Sequence, residues 1–350
     1  MRRADTSDPA IRAGLAAVSA AAGGADPMAL ASRAALALLT PGTFASRRAR
    51  QALDLLAGAG FRPAYARLVT FDDDEVIGRM WAAAYAVMEP DRRVVCYDLL
   101  RAAESLLLVL RYTGPGGDRS DGELTGASER LAGLKGHSDP ARCGPEALRT
   151  RLGSANRVIN MLHCAATTPD TVREAALLLD AGDLAAAWRS VAAGRDTVPL
   201  GGAIDIGSRW CGNSLAHVGV AVRSRLLDAL AAQSGAEPAG AARCRREWQW
   251  LRERDPGEPR ALLAEYRAAF PACPGPGGDG QGPEGNGKVP GSEAAREHAL
   301  GLVEGLLRGR PADVGELRAT LARAGCAVDR WEWVVLASYA VTPVPPEAAC

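Results

Sequence analysis

From Ser105 to Arg111 the chain reads Ser-Leu-Leu-Leu-Val-Leu-Arg, an apolar run with no polar position in alternation. A run of that length is a strand, and one without a polar face has to be covered on both sides. This single segment demands a layered architecture, with helices packed over a small sheet. Its neighbours fit. Ala34–Leu39 is a second short apolar run, stopped by Thr40-Pro41-Gly42, and Ser46–Ala59 carries leucine and alanine at helical spacing up to Gly60. Pro63–Phe71 alternates as a strand does, and Tyr97–Glu104 reads as a short helix before the central run, which Gly114-Pro-Gly-Gly117 closes. Gly122–Leu134 reads as a helix, the short segment Glu146–Leu152 brings Arg149 and Arg151, Arg157–His163 is a further strand, and Thr168-Pro169-Asp170 opens a helix that reaches Leu179.

Beyond about residue 182 the strand signals stop. Helices are predicted over Asp183–Ala193, Leu215–Gln233, Arg243–Arg254, Pro259–Phe270, Ser292–Arg308, Ala312–Ala324 and Arg330–Tyr339. Residues 273–292 are too rich in Gly and Pro to pack and read as a disordered linker. A chain of 350 residues suggests two domains. The expected division is a partly disordered lead-in at 1–33, an α/β domain at 34–182 and a helical accessory domain at 183–350, with no internal repeat.

Lys plus Arg and Asp plus Glu both number 41, so no global field favours nucleic acid or an anionic membrane, and any anion site has to be local. The eight cysteines are scattered with no C-x-x-C pair, which reads as reduced thiols. Asp5, Asp8 and Arg12 interrupt the Ala-rich start, and no strongly apolar stretch is long enough for a membrane span, so the expected location is the cytoplasm.

Four histidines are present: His137, His163, His217 and His298. His163 ends an apolar strand and precedes the small-residue turn Cys164-Ala165-Ala166, a place where side chains face clefts. Glu174 follows on the returning helix, where a carboxylate can fix the tautomer and orientation of the ring. The bland alternative is a satisfied structural histidine, which is also how His217 reads. Asp72-Asp73-Asp74 is a metal site in the sharper reading and a favourable helix N-terminus in the plainer one. Trp210, Trp248, Trp250, Trp331 and Trp333 read as core or interface anchors, and the Gly-rich stretch 201–207 lacks the order of a phosphate loop.

The segment Asn160-Met-Leu-His163 with Glu174 resembles the Asn-x-x-His signature of nucleoside diphosphate kinases and the carboxylate on the helix after it. Ala35–Gly42 resembles that family's first strand and Lys-Pro-Asp turn, Arg130 the arginine before its loop, Ser138-Asp139-Pro140 its Thr-Asn-Pro, and Leu148-Arg149 the arginine after its Pro-Gly-Thr. The likeness runs from about residue 34 to 180, a little under half of the chain.

The resemblance implies a ferredoxin-like αβ sandwich with a small antiparallel sheet, followed here by the helical half. It implies an enzyme in which His163 accepts the terminal phosphate of a nucleoside triphosphate and passes it to a nucleoside diphosphate. Arg130 and Arg149 would grip phosphate oxygens, Ser138 and Thr40 would face them, Asn160 would bind the sugar end, and Mg²⁺ would arrive on the phosphates with no protein metal site. Homo-oligomers and a protein partner for the helical half are compatible with it; nucleic acid and membrane are not expected.

Departures from the family are equally specific. Thr40 stands where the family has its phosphate-binding lysine, and Lys135, in the loop beside Ser138, and Arg47 and Arg48 are the candidate substitutes. The base-stacking Phe is missing near Val94-Val95, with Tyr97 and Trp81 as the aromatic side chains at hand, and Cys164 and Ala165 replace the Gly and Ser after the histidine. Two rival expectations follow: a catalytically weakened nucleotide-binding regulatory module, or a phosphotransferase acting on a specialised metabolite.

Overall fold

The computed structural model describes residues 7–114, 126–200, 214–255, 258–271 and 292–344. Among them, strands β1 (Ala34–Leu39), β2 (Phe61–Val69), β3 (Ser105–Tyr112) and β4 (Leu162–Cys164) form one antiparallel sheet in the order β2-β3-β1-β4. The apolar run expected to be covered on both sides is the central strand β3, and Leu106–Leu110 are buried, as is all of β1 beside it. Continuous burial in an antiparallel sheet requires cover on both faces, which the helices supply.

Between residues 9 and 192 the helices are α1 (Pro9–Ala22), α2 (Pro27–Ser32), α3 (Pro41–Ala45), α4 (Ala49–Gly58), α5 (Asp74–Met80), α6 (Ala82–Tyr85), α7 (Pro90–Ala102), α8 (Ala127–Lys135), α9 (Leu148–Arg151), α10 (Thr168–Leu178) and α11 (Ala181–Ala192). Of these, α4, α8, α10 and α11 pack on the sheet, and α1 lies against α10 and α11. The contact of α1 with α10 is close enough that a Cβ at Gly14 would come within 2.5 Å of the Val172 carbonyl oxygen.

Two compact units emerge, and their bounds differ from those read in the sequence. The first comprises Met1–Glu89, Tyr97–Ser154 and Asn160–Arg209, and the second Pro90–Cys96, Ala155–Ile159 and Trp210–Cys350. Within 1–33, expected as a partly disordered lead-in, residues 9–22 and 27–32 are helical in the first unit. Asp8-Pro9 and Asp26-Pro27 are both N-cap and first-turn pairs, each aspartate accepting a backbone N–H, at 2.8 Å from Ala10 and 2.9 Å from Met28. Ile11 and Val18 are buried there. Helix α11, expected at the start of the helical half, belongs to the first unit and packs on β2 and β3.

The strand expected over Arg157–His163 is shortened to Leu162–Cys164. Asn156 breaks it: its side-chain oxygen accepts the backbone N–H groups of Val158 and Ile159, both at 2.9 Å, which curls the segment into a turn. Its amide nitrogen donates to Ser338 Oγ at 2.9 Å within the second unit.

That second unit holds α12 (Leu215–Ser234), α13 (Ala241–Arg252), α14 (Pro259–Ala269), α15 (Glu293–Leu307), α16 (Val314–Arg323) and α17 (Arg330–Val341). Helix α12 packs against α13, α14, α15 and α17. A buried ionic cluster ties three of them together. Arg223 of α12 lies 2.8 Å from Glu247 and 3.0 Å from Glu304, and these two carboxylates are held from behind by Arg243 at 2.8 Å and Arg308 at 2.9 Å. Every carboxylate in it has an arginine partner, the condition under which buried charge is tolerated. Among the described residues no helix is long and apolar enough to cross a membrane.

Candidate functional site around His163

Strand β4 is three residues long and sits at the edge of the sheet, with His163 on the same rung as Leu38 of β1. The chain reaches it through a strained turn. Met161 has φ of 64°, a left-handed conformation uncommon for a side chain of this kind, and the Leu162 N–H donates back to the Asn160 carbonyl at 2.7 Å. The turn is held from the β1 side. The Met161 carbonyl accepts the Thr40 N–H at 3.1 Å, the Thr40 hydroxyl at 3.2 Å and the Thr43 hydroxyl, while Ser46 Oγ, which donates to Gly42 O at 2.8 Å, lies 3.7 Å from Met161 Sδ. This is what the Thr-Pro-Gly-Thr segment does: it clamps the turn that delivers the histidine.

After β4, Thr167 caps α10, accepting the Asp170 N–H, and the helix returns so that Glu174 faces the strand. Glu174 Oε2 lies 2.8 Å from His163 Nε2, and Trp81 Nε1 donates to His163 Nδ1 at 3.0 Å. An indole nitrogen can only donate, so Nδ1 has to carry the lone pair and Nε2 the proton. The ring is thereby fixed as one neutral tautomer, with Nε2–H donating to the carboxylate. Both side chains are largely enclosed, at 13% exposure for His163 and 4% for Glu174.

Arg173, the residue before Glu174, has its guanidinium 3.6 Å from Glu174 Oε1. It also donates to the carbonyls that end α5, Arg79 O at 2.7 Å and Met80 O at 3.4 Å. Trp81 follows directly, packed edge-on against Tyr85, which meets Tyr97 in the same way.

The outer edge of β4 is closed by two cations. Arg149 donates to the Leu162 carbonyl through Nε at 3.1 Å and Nη2 at 3.0 Å, and through Nη1 to Gly136 O at 3.4 Å. Lys135 Nζ donates to the Cys164 carbonyl at 3.2 Å. Carbonyls two residues apart on an edge strand point the same way and need partners, and these side chains supply them. Burial lowers the pKa of Arg149 against the opposing influence of Cys164 and Cys143, and burial raises that of the Cys164 thiol despite Lys135 and Arg149 nearby.

The structure thus brings His163 and Glu174 into contact and sets Thr40 and Arg149 behind β4, both buried and engaged with backbone carbonyls. It does not bring Arg130 there. That guanidinium lies 5.1 Å from the centre of the Tyr112 ring. Tyr112 is five residues along β3 from Leu107, which shares the rung of Leu38 and His163. Roughly 16 Å of strand therefore intervenes. Ser138 is exposed in the loop before the 3₁₀ turn Pro140–Arg142, and Asn160 is half-buried with its carbonyl committed to the Leu162 N–H. Arg48, a possible stand-in for the lysine, donates to Gln51 at 2.9 Å.

No protein-family model matches this chain, and no curated protein does. Function has to be read from the side chains themselves.

Among the described residues no three His, Cys, Asp or Glu side chains gather as metal ligands. In the acidic triplet, Asp73 caps α5 through the Glu75 N–H at 2.7 Å and Asp74 pairs with Arg101 at 2.9 Å, the helix-terminus reading. Trp331 is buried, Trp248 is 40% exposed, and Arg318 lies over the Trp333 ring at 4.3 Å. Trp210, the Gly-rich stretch 201–207 and nearly all of the linker at 273–292 lie outside the described residues. Three contributors to the site carried little or no sequence signal: Arg173, Thr43, and Trp81, for which base stacking was the expected role.

Proposed function

We propose that residues 34–182 are a divergent nucleoside diphosphate kinase-like phosphotransferase domain of ferredoxin-like topology, acting through a phosphohistidine on His163. The topology is supported by the strand order β2-β3-β1-β4, with α4 between β1 and β2 and α8 between β3 and β4. The observation that carries the chemical reading is the fixed tautomer: Glu174 holds Nε2–H, so the lone pair on the ring lies on Nδ1. Nδ1 attacks the terminal phosphorus of a nucleoside triphosphate, an N–P bond forms, and the P–O bond to the departing diphosphate breaks. The positive charge that develops on the ring is balanced at Nε2 by Glu174. A nucleoside diphosphate then takes the phosphoryl group and the ring returns to its neutral form.

Magnesium enters this scheme only as the nucleotide's companion, neutralising phosphate charge. Glu174 is engaged by His163 and flanked by Arg173, so no carboxylate of the dyad is left over as a ligand. The scatter of the cysteines, without paired spacing, favours a cytoplasmic setting.

A second reading is favoured by a different observation. The cations and hydroxyls a phosphate clamp needs are spent elsewhere, with Thr40, Arg149 and Lys135 on backbone carbonyls and Arg130 far along the sheet. That arrangement suits a nucleotide-binding regulatory module in which transfer has been lost.

Incubation of the full chain with γ-labelled ATP decides between them. Acid-labile, base-stable label that is absent from His163→Ala and chases onto GDP is the result expected of the phosphotransferase. Saturable nucleotide binding by calorimetry with no label would establish the regulatory reading in its place.

A further inference from the structure

Trp81 stands at a joint. Helix α5 ends at Met80 and α6 starts at Ala82, and Trp81 between them has φ of −109° and ψ of 24°, outside the helical geometry on either side. Its indole N–H occupies the one ring nitrogen of His163 that has a lone pair. A nitrogen accepting a hydrogen bond through its only lone pair cannot attack an electrophile until that bond is broken.

We propose that Trp81 is a removable cap on His163: it keeps the proton off Nδ1 while masking that atom, and the ring becomes reactive when the α5–α6 joint turns the indole away. The proposal deepens the phosphoryl-acceptor reading and takes its biological meaning from it, but its chemistry holds for any electrophile. Trp81 is a positioning residue in this scheme, acting through the tautomer it selects.

The surroundings make the joint a hinge with a pin. Arg173 donates to Arg79 O and Met80 O, the last carbonyls before Trp81, and the adjacent Glu174 holds the opposite nitrogen of the same imidazole. Two consecutive residues of α10 therefore set both the nucleophile and the backbone of its cap. On the far side Trp81 touches Tyr85 edge-on, a contact between flat rings that tolerates sliding, so the hydrogen bond to His163 Nδ1 is the directional contact a turn of the indole gives up.

Two measurements on the full chain test the cap. The first is nitrogen NMR of wild-type protein labelled at histidine. The expected spectrum shows His163 as the Nε2–H tautomer, with its Nδ1 resonance displaced from the position of a free, unbonded nitrogen. A free Nδ1, or a proton on Nδ1, would overturn the proposal without any variant being made.

The second is carbethoxylation by diethylpyrocarbonate, followed by mass spectrometry, with the 41%-exposed His298 as internal reference. In this reaction the Nδ1–carbon bond forms as ethyl carbonate leaves, and the Nε2 proton is released. Trp81→Phe keeps an aromatic ring but has no N–H, and His163 should react roughly three- to tenfold faster in it relative to His298. An unchanged ratio would sink the cap even if ATP labels the protein. A faster ratio in a protein that ATP never labels would uphold the cap and remove the phosphotransferase reading alone.

Discussion

Glu174 Oε2 lies 2.8 Å from His163 Nε2, while its Oε1 lies 3.6 Å from the guanidinium of Arg173 on the same helix. Removing this carboxylate strands a buried N–H and leaves Arg173 with Asp170, at 3.7 Å, as its carboxylate neighbour on α10. Glu174→Ala should therefore lower unfolding free energy by about 1–3 kcal/mol, the cost of an unsatisfied buried donor. Glu174→Gln retains an acceptor oxygen and should lose about 1 kcal/mol. Urea denaturation of the two variants checks the order; equal losses would mean that shape rather than hydrogen bonding matters there.

Met161 sits at φ of 64° with its side chain fully buried. At an ordinary position glycine is less stable than alanine by about 0.5–1 kcal/mol. Here the left-handed backbone penalises alanine by about 1 kcal/mol and spares glycine. Both variants lose the packing of the side chain and its contact with Ser46, but Met161→Gly should be no less stable than Met161→Ala in thermal or urea unfolding.

Gly14 and Gly133 are both inside helices of the first unit, and alanine should act oppositely at the two. A Cβ at Gly14 would lie 2.5 Å from Val172 O and 2.6 Å from Val172 Cγ1, so Gly14→Ala has to push α1 off α10. Overpacking of this kind costs about 1–3 kcal/mol. Gly133 has nothing within 4 Å of that position, and Gly133→Ala should gain about 1 kcal/mol from helix propensity alone. Urea midpoints moving in opposite directions are the expected outcome. Because α10 carries Glu174, Gly14→Ala should also raise the reactivity of His163.

His217, in the second unit, lies 3.2 Å through Nε2 from the Leu251 carbonyl. Burial pushes its pKa below 6.5, against the upward pull of that carbonyl and of Asp255. The folded protein thus favours the neutral ring, and the unfolded chain takes up the proton first as pH falls. The stability tied to this group is fully present above pH 6.5 and is lost as pH drops below it. Urea midpoints of wild type between about pH 7 and 5 should fall more steeply than those of His217→Gln, which cannot titrate. Parallel slopes would show that the ring is solvated.

The central strand was readable because five adjacent apolar residues have one comfortable environment, and Leu106–Leu110 occupy it. The helices of the second half were readable too, to within a few residues at their ends, because Ser214, Ser292, Asp313 and Asp329 are local caps that act within three residues of themselves. The Asp8-Pro9 and Asp26-Pro27 starts were equally local, and weakly apolar alanine stripes obscured them.

The proximity of His163 and Glu174 could be anticipated, since a strand, a short turn and a returning helix bring positions 163 and 174 together over a short loop. The roles of Thr40, Arg149 and Trp81 were a different matter. Residue type and order along the chain point each of them at a nucleotide, and each is decided by a carbonyl or ring nitrogen from a distant segment: Met161 O for Thr40, Leu162 O for Arg149 and His163 Nδ1 for Trp81. A threonine, an arginine or a tryptophan donates to whichever acceptor the packed chain leaves unsatisfied beside it. Which acceptor that is follows from how β4 ends the sheet and where α5 stops, and no local pattern encodes either.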